Sequence, residues 1–174
     1  MTEFRILFVC VGNVCRSPLG ERLLASMLPA DDFEVSSAGV GALAGAAMDP
    51  QAAAHLEAYG ASAVGFVARQ LTPAMVENSD LVLTATKAIR SRVLEESPAA
   101  LRRTFTVLEF AALLDVVATD GDPARLVRTA AEERSRATLE DYDIADPFRR
   151  GSQAHAAAAG AITTAVERIA KALA

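Results

Sequence analysis

Phe4-Arg5-Ile6-Leu7-Phe8-Val9-Cys10 runs without a break into Val11-Gly12-Asn13-Val14-Cys15-Arg16-Ser17-Pro18. The first seven residues are largely apolar on both alternating faces, the pattern of a central parallel strand covered by helices on each side. A turn containing Gly12 and Asn13 ends the strand, and Ser17-Pro18 offers an N-cap and a proline at the first helical position. A helix to about Leu28 is predicted. Strand, tight turn and helix in this order open a doubly wound α/β fold.

Further along, the alternation repeats. A second strand is predicted over Phe33 to Ser37, ending in Ala38-Gly39, and a Gly/Ala-rich loop leads to Asp49-Pro50 and a helix that stops near Gly60. The third strand is predicted at Asp80 to Ala85 with a helix after Thr86, and the fourth at Thr104 to Leu108. From Ala111 to Asp141 the pattern is helical but more polar, with a turn and helix start at Asp120-Gly121-Asp122-Pro123. Asp141 to Arg150 reads as a loop. After it, the Ala-rich end carries Ile162, Val166, Ile169 and Leu173 at helical spacing, the stripe of a surface-docked helix. No repeat or linker interrupts the chain, so a single domain over 1–174 is expected, large enough to bury its core without disulfides or a structural metal.

Seventeen basic against 22 acidic residues leave a formal charge of −5, which argues against a nucleic-acid binder and confines any anion site to a local feature. Two cysteines, Cys10 and Cys15, are no disulfide framework and suggest a reducing compartment. The run Ile6 to Val11 is too short for a signal or membrane segment, so the cytoplasm is expected and membrane insertion is not. His55 and His155 are read as helix-surface residues without paired ligands at metal spacing, so neither a metal nor an organic cofactor is expected.

The loop itself carries chemistry. A cysteine at a strand end, five residues, an arginine and a hydroxyl at a helix start bring unsatisfied backbone N–H groups and the positive end of a helix dipole around one point, where a dianion is favoured. Arg16 adds a planar fork that can hold two phosphate oxygens. The same field stabilises a thiolate, which makes Cys10 a candidate nucleophile. Ser17 can donate a hydrogen bond to its sulfur, and Asn13 can hold the loop's shape. Expulsion of an alkoxide or phenolate calls for an acid, a role open to a carboxyl such as Asp146, whose loop Pro147 stiffens. Asp143 is read as a turn former or solvated carboxylate.

The run Val9 to Pro18 resembles the signature of the low-molecular-weight protein-tyrosine-phosphatase family. The similarity continues through Glu21-Arg22-Leu23-Leu24, Ser37-Ala38-Gly39, Ala68-Arg69-Gln70-Leu71, Asp80-Leu81-Val82-Leu83 and Asp146-Pro147-Phe148. The resemblance implies a four-stranded parallel sheet of order 2-1-3-4 flanked by helices. It also implies phosphotyrosine hydrolysis through a cysteinyl phosphate, with Cys10, Arg16 and Asp146 catalytic, Asp146 singled out as the acid, and residues Val11, Gly12, Asn13, Val14, Cys15, Arg16 and Ser17 around the phosphate. It further implies that Cys15 can form a reversible disulfide with Cys10.

Ser37 to Gly45 followed by Asp49-Pro50 is most similar to the bacterial branch associated with exopolysaccharide export. This implies a phosphotyrosine protein, a bacterial tyrosine kinase among the class, as partner, and Leu43 and Phe148 as walls for the substrate ring. A monomer or weak dimer is expected. Val14 stands where a phosphoarginine-specific branch tends to have threonine. Phe66 stands where many members have histidine, so a gap is expected in the hydrogen bonds running from Asn13 through Ser17 toward Ser37. Two other functions use the same loop: thiol-dependent arsenate reduction, for which no further cysteine supplies a relay, and phosphotyrosine binding without turnover.

Overall fold

A computed structural model describes residues 3–174. Four parallel strands, β1 (Phe4–Cys10), β2 (Phe33–Gly39), β3 (Leu81–Thr84) and β4 (Thr104–Thr106), form one sheet in the order β2-β1-β3-β4. Around it lie α1 (Arg16–Met27), α2 (Pro50–Ala58), α3 (Pro73–Glu77), α4 (Lys87–Glu96), α5 (Val107–Leu113), α6 (Pro123–Glu132) and α7 (Ser152–Leu173). The sheet order is the one the resemblance implies.

The alternation of β1 sorts its side chains into two cores. Ile6 and Phe8 join Leu81, Leu83 and Phe105 against α1, α5 and α7, while Leu7 and Val9 join Val82 against Ile89, Val93 and Ala100 on the opposite face. Ile162, Val166, Ile169 and Leu173 of α7 are all buried in the first cluster. β1 sends its helix toward β2 on one side and has β3 on the other. Its C-terminal end is therefore the topological switch point, where open α/β sheets form a crevice.

Predicted boundaries move by one or two residues, and β3 lacks the predicted Asp80 and Ala85 at its ends. β4 stops at Thr106 because the Thr106 hydroxyl accepts the Glu109 N–H (3.0 Å) while the Glu109 carboxylate accepts the Thr106 N–H (3.2 Å), a capping box that starts α5 at Val107. The apolar pair Val107-Leu108, predicted as strand, is helical. At α1 the predicted cap also fails: the helix begins at Arg16, one residue before Ser17, whose side chain caps nothing.

The polar stretch after Leu114 packs beside the last strand. Leu126, Val127 and Ala130 of α6 are buried, and Arg134 lies 4.2 Å over the Phe105 ring while donating to the Thr104 carbonyl (3.0 Å). This covers the outer edge of β4, where an open strand invites mispairing. Among the described residues, no helix is long and apolar enough to cross a membrane.

Candidate active site

From Cys10 the chain turns through residues 11–15 before α1 begins. The carbonyls of Cys10, Val11 and Gly12 accept N–H bonds from Val40, Gly41 and Leu43 at 3.0, 3.0 and 2.9 Å; that of Val14 accepts from Asp49 at 2.8 Å, and that of Cys15 from Leu19 at 3.2 Å. In a planar trans peptide the C=O of one residue and the N–H of the next lie on opposite edges. Fastening these carbonyls outward therefore turns the N–H groups of Val11, Gly12, Asn13, Cys15 and Arg16 toward the inside of the loop. Among the described residues none of the N–H groups of residues 11–15 donates to another backbone carbonyl. Together with the start of α1 they make a cradle for an anion.

Two residues permit so tight a turn. Asn13 adopts a positive φ of 55°, a conformation that asparagine tolerates better than most residues. Gly39 lies so close that a Cβ there would come within 2.3 Å of the Val11 carbonyl oxygen.

Asn13, fully buried, organises what lies behind the loop. Its Oδ1 accepts the Arg69 N–H at 2.9 Å, which leaves Nδ2 to donate to Ser17 Oγ (2.8 Å) and Ser37 Oγ (2.9 Å). Ser17 Oγ lies 2.9 Å from Cys10 Sγ, and Ser37 Oγ in turn donates to Glu21. An amide NH2 only donates. Ser17 accepts from it and keeps its own hydrogen for the sulfur, and Ser37 does the same for the Glu21 carboxyl. The gap expected from Phe66 is absent: Phe66 packs in the core under the Arg22 guanidinium (5.6 Å), and Glu21, ion-paired to Arg22 at 3.2 Å, ends the chain of hydrogen bonds. Burial pushes the Glu21 carboxyl up, against lowering by Ser37, Arg22 and Arg69.

Arg16 is buried and reaches across the crevice. Its Nη1 donates to the Ile144 carbonyl (2.7 Å) and its Nη2 lies 3.4 Å from Asp146 Oδ2, while Nε, also buried, has no partner in the protein. An orphaned charged donor beside an N–H cradle is a place for an oxyanion. Asp146 is about half exposed, and its Oδ1 accepts the Phe148 N–H at 3.2 Å, which holds the carboxyl at the crevice mouth. Cys10, Val11, Gly12, Val14, Cys15, Arg16, Leu43, Asp146 and Phe148 line one cleft. Leu43 is 46% exposed and Phe148 half-buried. A roomier cleft, lined by Phe4, Arg5, Asp32 and Phe33, lies at the other end of the strands and holds no cysteine.

Two other residues of the Asp146 segment have structural partners. Asp143 Oδ1 accepts the Lys87 N–H at 2.8 Å at the start of α4, and the Tyr142 hydroxyl donates to the Ala137 carbonyl at 3.0 Å. Cys15 is buried and shares a cleft with Cys10. Burial above all, with Asp49, Cys10 and Asp146 adding and Arg16 opposing, pushes its thiol up to about 12, so at neutral pH it keeps its proton. His155, expected on a helix surface, is 2% exposed. The sequence pattern misplaces it because alanines surround it, and the helix face that Ala158, Ala159 and Ile162 bury includes position 155.

A doubly wound sheet whose switch-point loop holds a thiol under an N–H cradle and an arginine defines an α/β enzyme of oxyanion chemistry. The chain belongs to the low molecular weight phosphotyrosine protein phosphatase family, whose sequence profile matches residues 5–120. It is 32% identical over 145 residues to the probable low molecular weight protein-tyrosine-phosphatase EpsP of Ralstonia nicotianae, covering 83% of this chain and 79% of the relative. Among solved structures it matches the Erwinia amylovora tyrosine phosphatase AmsI (TM-score 0.77, 28% identity, 99% of this chain and 95% of that one). It also matches the YwlE arginine phosphatase of Geobacillus stearothermophilus (TM-score 0.73, 31% identity, 97% and 91%).

Proposed function

We propose that this protein-tyrosine-phosphatase acts through a cysteinyl phosphate on Cys10, with Arg16 and the loop N–H groups holding the phosphoryl oxygens and Asp146 as the proton donor. The observation that carries this reading is the convergence of Cys10, the orphaned Arg16 Nε and Asp146 on one cleft. Cys10 Sγ attacks phosphorus while the bond to the tyrosine oxygen breaks. Asp146 delivers its proton to that oxygen, because a phenolate is a poor leaving group without one. Water then attacks the phosphocysteine, the Asp146 carboxylate takes a proton from it, and inorganic phosphate leaves. The Cys10 thiolate released in this step accepts the Ser17 hydroxyl hydrogen, the only donor of the pair once the sulfur is ionised.

The walls support a substrate class. Leu43 and Phe148 flank the cleft as apolar surfaces suited to an aromatic ring. Val14 is buried in the loop and offers no hydroxyl to a guanidinium, which favours phosphotyrosine over the phosphoarginine implied by the name of the Geobacillus relative. The similarity of Ser37 to Gly45 to the exopolysaccharide branch supports a tyrosine kinase of such a system as the protein substrate.

Phosphate release from a phosphotyrosine peptide and from a phosphoarginine peptide, with reduced wild type, Cys10→Ser and Asp146→Asn, tests the reading. The expected outcome is turnover of phosphotyrosine alone, abolished by Cys10→Ser and reduced roughly 10²–10⁴-fold by Asp146→Asn, the range for one general acid. Preference for phosphoarginine, or full activity of Cys10→Ser, would overturn it.

A further inference from the structure

Beside the anion loop three side chains from distant parts of the sequence meet: Cys15 of the loop, which also lines the cleft, Asp49 at the start of α2 and His155 in α7. Their ligand atoms lie within 4.8 Å of one another, with His155 Nε2 3.8 Å from Asp49 Oδ1. That separation is too long for a hydrogen bond. His155 Nε2 is buried and has no partner in the protein, although the Asp49 carboxylate lies nearby. Such an atom is rare in a folded chain and calls for an explanation.

We propose that Cys15, Asp49 and His155 form a binding site for a borderline-soft divalent cation of the zinc class. Sulfur, imidazole nitrogen and carboxylate oxygen are the three donor types that zinc combines. A tetrahedral ion with bonds of about 2.0–2.3 Å needs its donors roughly 3.3–3.8 Å apart. The His155–Asp49 separation of 3.8 Å is a few tenths of an ångström longer than the roughly 3.3–3.5 Å that a nitrogen and an oxygen ligand require, and binding draws the side chains together by that amount. Asp49 is not completely buried, its side chain being 17% exposed, and it marks the path of entry. Three protein ligands leave a fourth position for water. As the sulfur–metal bond forms, the Cys15 thiol gives its proton to solvent, and nothing is oxidised.

Asp49 is also fastened to the loop. Its own N–H donates to the Val14 carbonyl (2.8 Å), and its Oδ1 accepts the N–H groups of Gln51 (2.9 Å) and Ala52 (3.3 Å) as the cap of α2. A cation drawn between Asp49 and Cys15 therefore bears directly on the loop that carries Cys10, and it takes Cys15 out of any exchange with that sulfur.

Zn²⁺ affinity is measured by competition with a chromophoric chelator, and Co²⁺ is added separately for its thiolate charge-transfer band. The proteins are reduced full-length wild type, His155→Phe, Cys15→Ser and Cys10→Ser. One equivalent is expected to bind to wild type and to Cys10→Ser alike. Affinity falls at least roughly 100-fold in His155→Phe, beyond the 10–100-fold typical of a mere supporting residue, and the charge-transfer band disappears in Cys15→Ser. Binding lost in Cys10→Ser but kept in His155→Phe would overturn the proposal by putting the ion on the nucleophile, and so would wild-type affinity no greater than that of His155→Phe.

A readout on wild type alone guards against a variant that fails to fold. The protein has two histidines, so in long-range ¹H–¹⁵N spectra Zn²⁺ is expected to shift the Nε2 resonance of His155 and leave His55 in place. A shift of His55 instead, or of neither ring, overturns the proposal.

Discussion

Glu21 ends the hydrogen bonds that begin at Cys10, and its ionisation is coupled to folding. Burial holds its carboxyl above the ordinary 4.5, so the folded protein binds this proton more tightly than the unfolded chain does. The sign follows: stability contributed by the group is present below the unfolded value and is lost as pH climbs through the raised folded one. Glu21→Gln removes that dependence. Urea unfolding at a series of pH values from about 4 to 8 is expected to show wild type losing stability relative to the variant as pH rises through this window; a constant difference at all pH values would contradict it. The same residue marks the limit of what the sequence discloses. Cys10, Arg16 and Ser17 are legible because one short loop holds them, whereas Glu21 meets Ser37 only because α1 packs on the edge of β2. No local pattern announces that contact, nor the meeting of Cys15, Asp49 and His155.

Between elements, the decisive fit is that of the β1–α1 loop against the end of β2. Gly39 is where they touch, with its N–H donating to the Arg69 carbonyl (3.0 Å) and its own carbonyl accepting from Leu71 (2.8 Å), so the backbone is held from that side as well. Gly39→Ala would drive a methyl group into the Val11 carbonyl. Overpacking of this kind costs about 1–3 kcal/mol, and because the yielding part is the anion cradle, kcat is expected to fall at least tenfold. Urea unfolding together with steady-state kinetics checks this, and unchanged activity would show that the loop tolerates the displacement. Element boundaries were legible at the helix starts Asp49-Pro50 and Thr86, whose side chains do cap α2 and α4, though not at Ser17, which reads as a cap and caps nothing. They were misread where apolar continuity was followed instead: Val107-Leu108 prolongs the apolar run of β4, yet Thr106 and Glu109 form the capping box that ends it.

For the molecule as a whole, the anion site joins segments that would otherwise separate on unfolding. A ligand that binds only the folded state stabilises it by an amount set by concentration over Kd, about 2.7 kcal/mol at 100 Kd. For a chain of 174 residues that corresponds to roughly 5–10 °C in Tm. Inorganic phosphate or vanadate is expected to raise the Tm of wild type by such an amount and to leave Arg16→Ala nearly unmoved; an equal shift in both would place the anion elsewhere. The sheet order was legible at this scale through the resemblance and the alternation of strands with helices. The role of residues 114–140 was not, because covering the edge of β4 depends on partners such as Phe105 and Thr104 that lie well back in the sequence.

The bond from Arg16 to the Ile144 carbonyl spans 128 positions of chain, and it orders events during synthesis. The thiol and the guanidinium leave the ribosome more than a hundred residues before the segment that carries Asp146. A nascent chain thus carries Cys10 over that interval without the carboxyl proposed as its acid, and competence for the proposed chemistry waits on the later segment.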